Sequence, residues 1–257
     1  LDIEEKANVF TNTLFNSVGG KEQFDEVSIK LHRTDKHDAK TNEEAMASLA
    51  ISVKSKDPDL VGRLFSAKII ELALSNIPGF FAQGGVKSSG PVIKYWPALI
   101  NSKYIKEIVH IDGKNIEVMP TSQLNLEDIY YQKEPIKIEK IDIKDEKEIY
   151  FGEIFGTRSG DKGGCANLGV WAKNSQTFSF LYNFLTVDRL KDLLPDLREF
   201  KIERYELSNI ESLNFYIYDI LQDGVSSNDR KDGQAKSLGE YLRAKKIKVP
   251  QSIIGDL

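Results

Sequence analysis

The chain holds 257 residues, 40% hydrophobic and 29% charged, which is enough apolar material for one large core or two small ones, and two is the expectation. A formal net charge of −4 leaves no basic excess for neutralising many phosphates, so nucleic acid is not an expected partner. The single cysteine, Cys165, closes no internal disulfide and fits a cytoplasmic compartment, and neither a signal pattern nor a run of roughly 20 apolar residues points to secretion or a membrane. The first residue is leucine rather than an initiator methionine, which leaves open a fragment whose upstream portion is absent.

In chain order, Phe10, Leu14 and Phe15 stand at helical spacing and stop at Gly19 and Gly20, which predicts a short amphipathic helix to about residue 17. Residues 24–31 alternate as a strand does. After Asp57, a helix cap, Pro58 fits the first turn, and Leu60, Val61, Leu64, Phe65, Ile69 and Leu72 supply an apolar stripe ended by Pro78 and Gly79. Residues 92–96 and 105–118 read as strands, the latter folded into a hairpin at Asp112, Gly113, Lys114 and Asn115. Composition turns polar over 121–147, where a linker or edge strand is expected.

Beyond it, strands over 149–155 and 166–172 flank a glycine-rich turn. A helix follows with Phe178, Leu181, Phe184 and Leu185 on one face. A second short helix is capped by Thr186 and stopped by Pro195. Two more alternating strands, near 201–207 and 213–221, precede a last helix carrying Leu238, Tyr241 and Leu242, which gives the order ββαββα.

The run Arg158, Ser159, Gly160, Asp161, Lys162, Gly163, Gly164, Cys165, Ala166, Asn167, Leu168, Gly169, Val170, Trp171 resembles the signature of the acyclic terpene utilisation (AtuA-type) family. Asp229, Gln234, Ala235, Lys236, Ser237 and Leu238, with Lys248, Val249 and Pro250, resemble that family's terminal helix and its end. Residues 1–120 resemble the latter half of the family's large core through Phe24, Asp25, Pro78, Gly79, Tyr95, Trp96 and Pro97. The family's glycine-rich N-terminal opening is absent. The expected fold class is therefore α/β and α+β: a mixed α/β core portion over 1–120, the linker or edge strand over 121–147, and a small ferredoxin-like ββαββα sandwich over 148–257. The resemblance implies a role in catabolism of acyclic terpenoids such as citronellol and geraniol, with acyl-CoA chemistry nearby, and names no catalytic step.

The glycine-rich turn is the best chemical candidate, because successive N–H groups over 160–164 can form a nest for a phosphate or carboxylate, with Lys162 and Arg158 adding positive charge. Arg158, Ser159, Gly160, Lys162, Gly163 and Gly164 are thus the candidate anion-binding residues. Asp161 and Asn167 are the candidate catalytic residues, orienting a hydroxyl or water. Asp229 and Arg230, in a polar loop, either fold over the turn or stay solvated. Against this stands a purely structural loop in which glycines supply positive φ. The turn is not a P-loop, since 156–162 lacks the four-residue gap, Gly163 replaces Ser or Thr, and a strand pattern follows. No G-x-G-x-x-G opening supports a dinucleotide site.

His32 and His37 lie in a charged loop with Asp35 and Asp38, and His110 stands near Asp112, but their spacing matches no metal motif, so no metal is expected. Cys165 reads as a small packed residue rather than an activated thiol. Phe178, Phe180, Tyr182 and Phe184 either line an apolar pocket or pack a core, and packing is the default.

The resulting expectation is a component of acyclic terpenoid or related branched acyl catabolism whose turn holds an anionic group of a small-molecule or acyl substrate, such as an acyl-CoA, with no resident cofactor. The alternative is a non-catalytic assembly module that forms a homo-oligomer or associates with a missing N-terminal portion. The residues leave open whether the chain is a catalyst. The two readings separate on Arg158 and Lys162, which an assembly module would pair with acids.

Overall fold

The computed structural model describes residues 2–75, 77–82, 84, 86, 88–94, 96–118, 136, 138, 139, 141 and 145–254, which form two compact units, Leu1–Val92 and Ile93–Leu257. In the first unit, α1 (Ile3–Ser17) buries Phe10, Thr11, Leu14 and Phe15, and it ends where Gly20 N–H donates to Phe15 O at 2.8 Å beside Gly19 at φ +90°. Glycine tolerates that left-handed backbone, so the helix stops where expected. β1 (Glu26–His32) pairs antiparallel with β2 (Ser48–Lys54), from Glu26↔Lys54 to His32↔Ser48. His32 therefore ends a strand rather than lying in a loop.

Asp57 caps the next helical stretch, its Oδ1 accepting from the N–H groups of Asp59 (2.9 Å) and Leu60 (3.4 Å). A wide turn over Leu60–Leu64 is interrupted at Gly62 (ψ −123°) before α2 (Phe65–Leu72) begins, so the predicted single helix is broken. The rings of Phe15, Phe24 and Phe65 meet at centroid distances of 5.5–6.1 Å and form the centre of this core.

The second unit opens with the hairpin β3 (Glu107–Ile111) and β4 (Lys114–Val118). Asp112 and Gly113 take φ of 49° and 73°, the left-handed pair that a two-residue hairpin turn requires. The described residues of the expected strand 92–96 are not in a strand. Most of the expected linker 121–147 lies outside the described residues, although β5 (Glu146–Tyr150) occupies its end and pairs antiparallel with β10 (Lys246–Pro250).

The strand expected over 149–155 is corrected: β5 stops at Tyr150, and α3 (Phe151–Ile154) follows, with Glu153 Oε1 accepting from Tyr150 N–H at 2.6 Å. Then come β6 (Gly156–Lys162), β7 (Cys165–Trp171), α4 (Ser175–Phe184), α5 (Val187–Leu193), β8 (Ile202–Leu207), β9 (Ser212–Ile217), α6 (Leu238–Arg243), β10 and α7 (Gln251–Ile254). Asn174 caps α4 and Thr186 caps α5 through side-chain oxygens that accept from Thr177 N–H (2.9 Å) and Arg189 N–H (3.1 Å). The order from β6 to α6 is the expected ββαββα with its first helix in two pieces.

β6, β7, β9 and β8 form a four-stranded antiparallel sheet in that spatial order. Side chains alternate between its faces. One face presents Ala166, Leu168, Val170, Leu213, Phe215 and Ile217, all wholly buried against the helices. Phe180 stacks against Phe155 at 6.3 Å and meets Phe184 at 5.1 Å, so the aromatic series of α4 packs in this core. Among the described residues no helix is long and apolar enough to cross a membrane.

Candidate functional site

The other face of the same sheet carries the polar residues. Partners across the ladders share a face, so the register aligns Arg158, Gly169, Asn214 and Tyr205 in one row, and Gly160, Asn167, Tyr216 and Glu203 in the next. Lys162 and Cys165 follow as a pair, and Gly156 and Trp171 stand at the opposite end. The indole of Trp171 lies directly over Gly156, where a Cβ would meet its ring carbons. Gly160 is different, because a Cβ there would meet nothing within 4 Å. It forms a side-chain-free saddle between Arg158 and Lys162.

Both cations are exposed, and neither pairs with a carboxylate among the described residues. Lys162 Nζ donates to the neighbouring Asp161 carbonyl at 2.9 Å. Across the face, Glu203 gathers three donors: Lys201 Nζ at 2.8 Å, Tyr205 Oη at 2.7 Å and Tyr218 Oη at 2.8 Å. Lys201 first, then the two phenols, hold its carboxyl at about 2, well below the usual carboxylate range. Asn167 Nδ2 donates to Asn214 Oδ1 at 3.3 Å.

The Cys165 thiol beside Tyr216, with partial burial, pushes the phenol up to about 12. A raised folded-state value stabilises the fold below the ordinary tyrosine value of about 10, and that contribution is lost as pH rises through about 12. Cys165→Ala is expected to return Tyr216 toward the ordinary value, which alkaline ultraviolet difference titration against wild type would show. Superimposable titration curves would show that Cys165 does not act on Tyr216.

The structure divides the residues picked out from sequence. Arg158, Gly160, Lys162 and Asn167 share the polar face, while Ser159 and Asp161 point to the opposite one. The nest is corrected: Gly160, Asp161 and Lys162 belong to β6, paired with Asn167, Ala166 and Cys165, and successive N–H groups of a strand point to opposite edges. Only Gly163 and Gly164 turn the chain, the former at φ +65°. Gly164 is packed so closely that a Cβ would lie 2.1 Å from the Gln222 carbonyl oxygen, and its own carbonyl accepts from Leu221 N–H at 2.8 Å.

Ser159 serves as a structural tie. Its hydroxyl donates to Lys236 O at 3.3 Å and accepts from Gly239 N–H at 2.9 Å, fastening α6 to β6. Asp232 accepts from the N–H groups of Lys236 and Ser237, both at 2.9 Å, and so organises the loop entering α6. Arg230 pairs with Asp196 at 3.5 Å, and Gln222 Nε2 approaches Asp229 Oδ1 at 3.5 Å, so Gln222 connects that loop to the turn. Sequence reasoning missed Lys201, Glu203, Tyr205, Asn214, Tyr216 and Tyr218. Their signal was a period of two opposite Ile202, Leu213, Phe215 and Ile217. Among the described residues no three His, Cys, Asp or Glu side chains gather as a metal site would need.

A family model described as acyclic terpene utilisation family protein AtuA matches residues 1–111, and a second, the AtuA ferredoxin-like domain, matches residues 150–248. The chain belongs to the AtuA-type family. The AtuA ferredoxin-like domain contains the whole four-stranded sheet, with both the signature run and the residues missed from sequence. AtuA membership connects the chain to acyclic terpene utilisation. No curated protein and no solved structure matches it significantly.

Proposed function

We propose that this AtuA-type chain is a component of acyclic terpenoid or related branched acyl catabolism, and that the polar face of its ferredoxin-like sheet holds an anionic group of the substrate, as in an acyl-CoA. One observation carries the proposal: Arg158 and Lys162 flank the open saddle at Gly160 on one face of β6, with no carboxylate partner among the described residues. The assembly reading would instead pair both cations with acids. Here the side chains supply the positive field, with Asn167 beside them to orient a polar group.

Lys162→Ala and Arg158→Ala are each expected to lower affinity for phosphate and acyl-CoA esters about ten- to hundred-fold, the loss of a charge-assisted contact of roughly 1.5–3 kcal/mol. Melting temperature should barely move, since both side chains are exposed. Calorimetric titration of wild type and variants decides it, and equal affinities would remove the anion site. Exposed Trp171 (42%) and Leu207 (40%) at the far end of the same face favour a second reading, an assembly surface. No binding by wild type, with self-association in sedimentation, would select that reading.

A further inference from the structure

The polar face has more than charge. Tyr216 lies in the row of Gly160, two strand spacings or about 10 Å away, a span within the full length of a nucleoside monophosphate. Its ring is braced at its edge by Tyr218, with centroids 4.9 Å apart and planes at 78°. A ring fixed in this way loses little freedom when another ring stacks on it. Asn167 stands between Tyr216 and the cations, and Asn214 lies beside Tyr216 on β9; their mutual hydrogen bond uses one donor and one acceptor. Whichever way the pair is turned, amide donors and carbonyl acceptors remain. That combination matches an adenine edge, which offers an acceptor nitrogen beside an amino donor.

Charge agrees with the geometry. Glu203, the acid on this face among the described residues, is already engaged by Lys201 and two phenols, so Arg158 and Lys162 remain uncompensated.

We infer that the polar face of the sheet takes an adenine nucleotide, its base on Tyr216 and against the Asn167 and Asn214 amides, its phosphate between Arg158 and Lys162. The inference rests on the anion site proposed above and names the class of molecule that carries the anion. The nucleotide half of a coenzyme A ester and a free adenine nucleotide share this chemistry.

The test is calorimetry on the full chain with inorganic phosphate, ribose 5-phosphate, AMP, adenosine 3′,5′-bisphosphate and an oligoadenylate. AMP is expected to bind about five- to hundred-fold more tightly than ribose 5-phosphate, the margin of one stacked base. Tyr216→Leu should erase that margin and leave phosphate affinity in place, whereas Tyr216→Phe should keep it. A further gain with the bisphosphate assigns the site to coenzyme A, and equal affinity assigns it to the free nucleotide. If AMP and ribose 5-phosphate bind alike in wild type, base recognition is overturned while the anion site stands, a result that needs no folded variant. If nothing phosphorylated binds, both fall. Oligoadenylate binding far more tightly than AMP, with steep salt dependence, would replace the nucleotide with a nucleic-acid strand.

Discussion

Phe215→Ala should lower the free energy of unfolding by about 3–5 kcal/mol, the range for truncating a wholly buried phenylalanine. Phe215 is 0% exposed, lies in β9 between β7 and β8, and stands in register with Leu168 on one side and Arg204 on the other. The strands around it are held by ladders on both sides, so the space left by the ring cannot close by a local shift, and a cavity cost adds to the lost transfer energy. The core of the first unit is a separate cluster around Phe10, Leu14, Phe15, Phe24 and Phe65. Amide exchange during urea unfolding should therefore show lost protection in β7 and β9. A change below about 1 kcal/mol would mean that the sheet is not packed as described.

Gly164→Ala is the second large effect. Its Cβ would arrive 2.1 Å from the Gln222 carbonyl oxygen, a backbone atom that cannot swing aside as a long side chain can. Overpacking of this kind costs 1–3 kcal/mol and occasionally more, and here about 3 kcal/mol is expected because the hydrogen bond from Leu221 N–H to Gly164 O must shift as well. Gly160→Ala is the matched control. Nothing lies within 4 Å of its added methyl, so stability should stay within about 0.5 kcal/mol of wild type. Thermal melts of both variants test the contrast, and similar losses for the two would show that the turn does not pack against Gln222. The contrast also separates two glycines of the signature: Gly164 is required by packing, whereas Gly160 faces open space.

Much of the ferredoxin-like unit was legible in the residues themselves. Ala166, Leu168 and Val170 alternate with Asn167, Gly169 and Trp171, and a period of two admits few readings. Thr186 and Pro195 mark helix ends because their chemistry acts on the adjacent backbone, whatever the rest of the chain does. β6 was not legible. Glycine, serine and aspartate are poor strand formers, so 156–162 reads locally as a loop, and its pairing with β7 overrides that preference. α3 failed for the opposite reason: Phe151, Ile154 and Phe155 suit a short strand as well as a helical turn, and the bond from Tyr150 N–H to Glu153 settles the choice.

By itself, then, the sequence determined family, the elements from β7 to α6 and the candidate cations, since each depends on residue type and near spacing. The tertiary structure decided which of the candidates act together. Ser159 stands next to Arg158 in the chain yet faces α6, while Tyr216, far away in sequence, shares a row with Gly160. A strand sends neighbours to opposite faces, and only the register of β6, β7, β9 and β8 brings distant residues onto one of them.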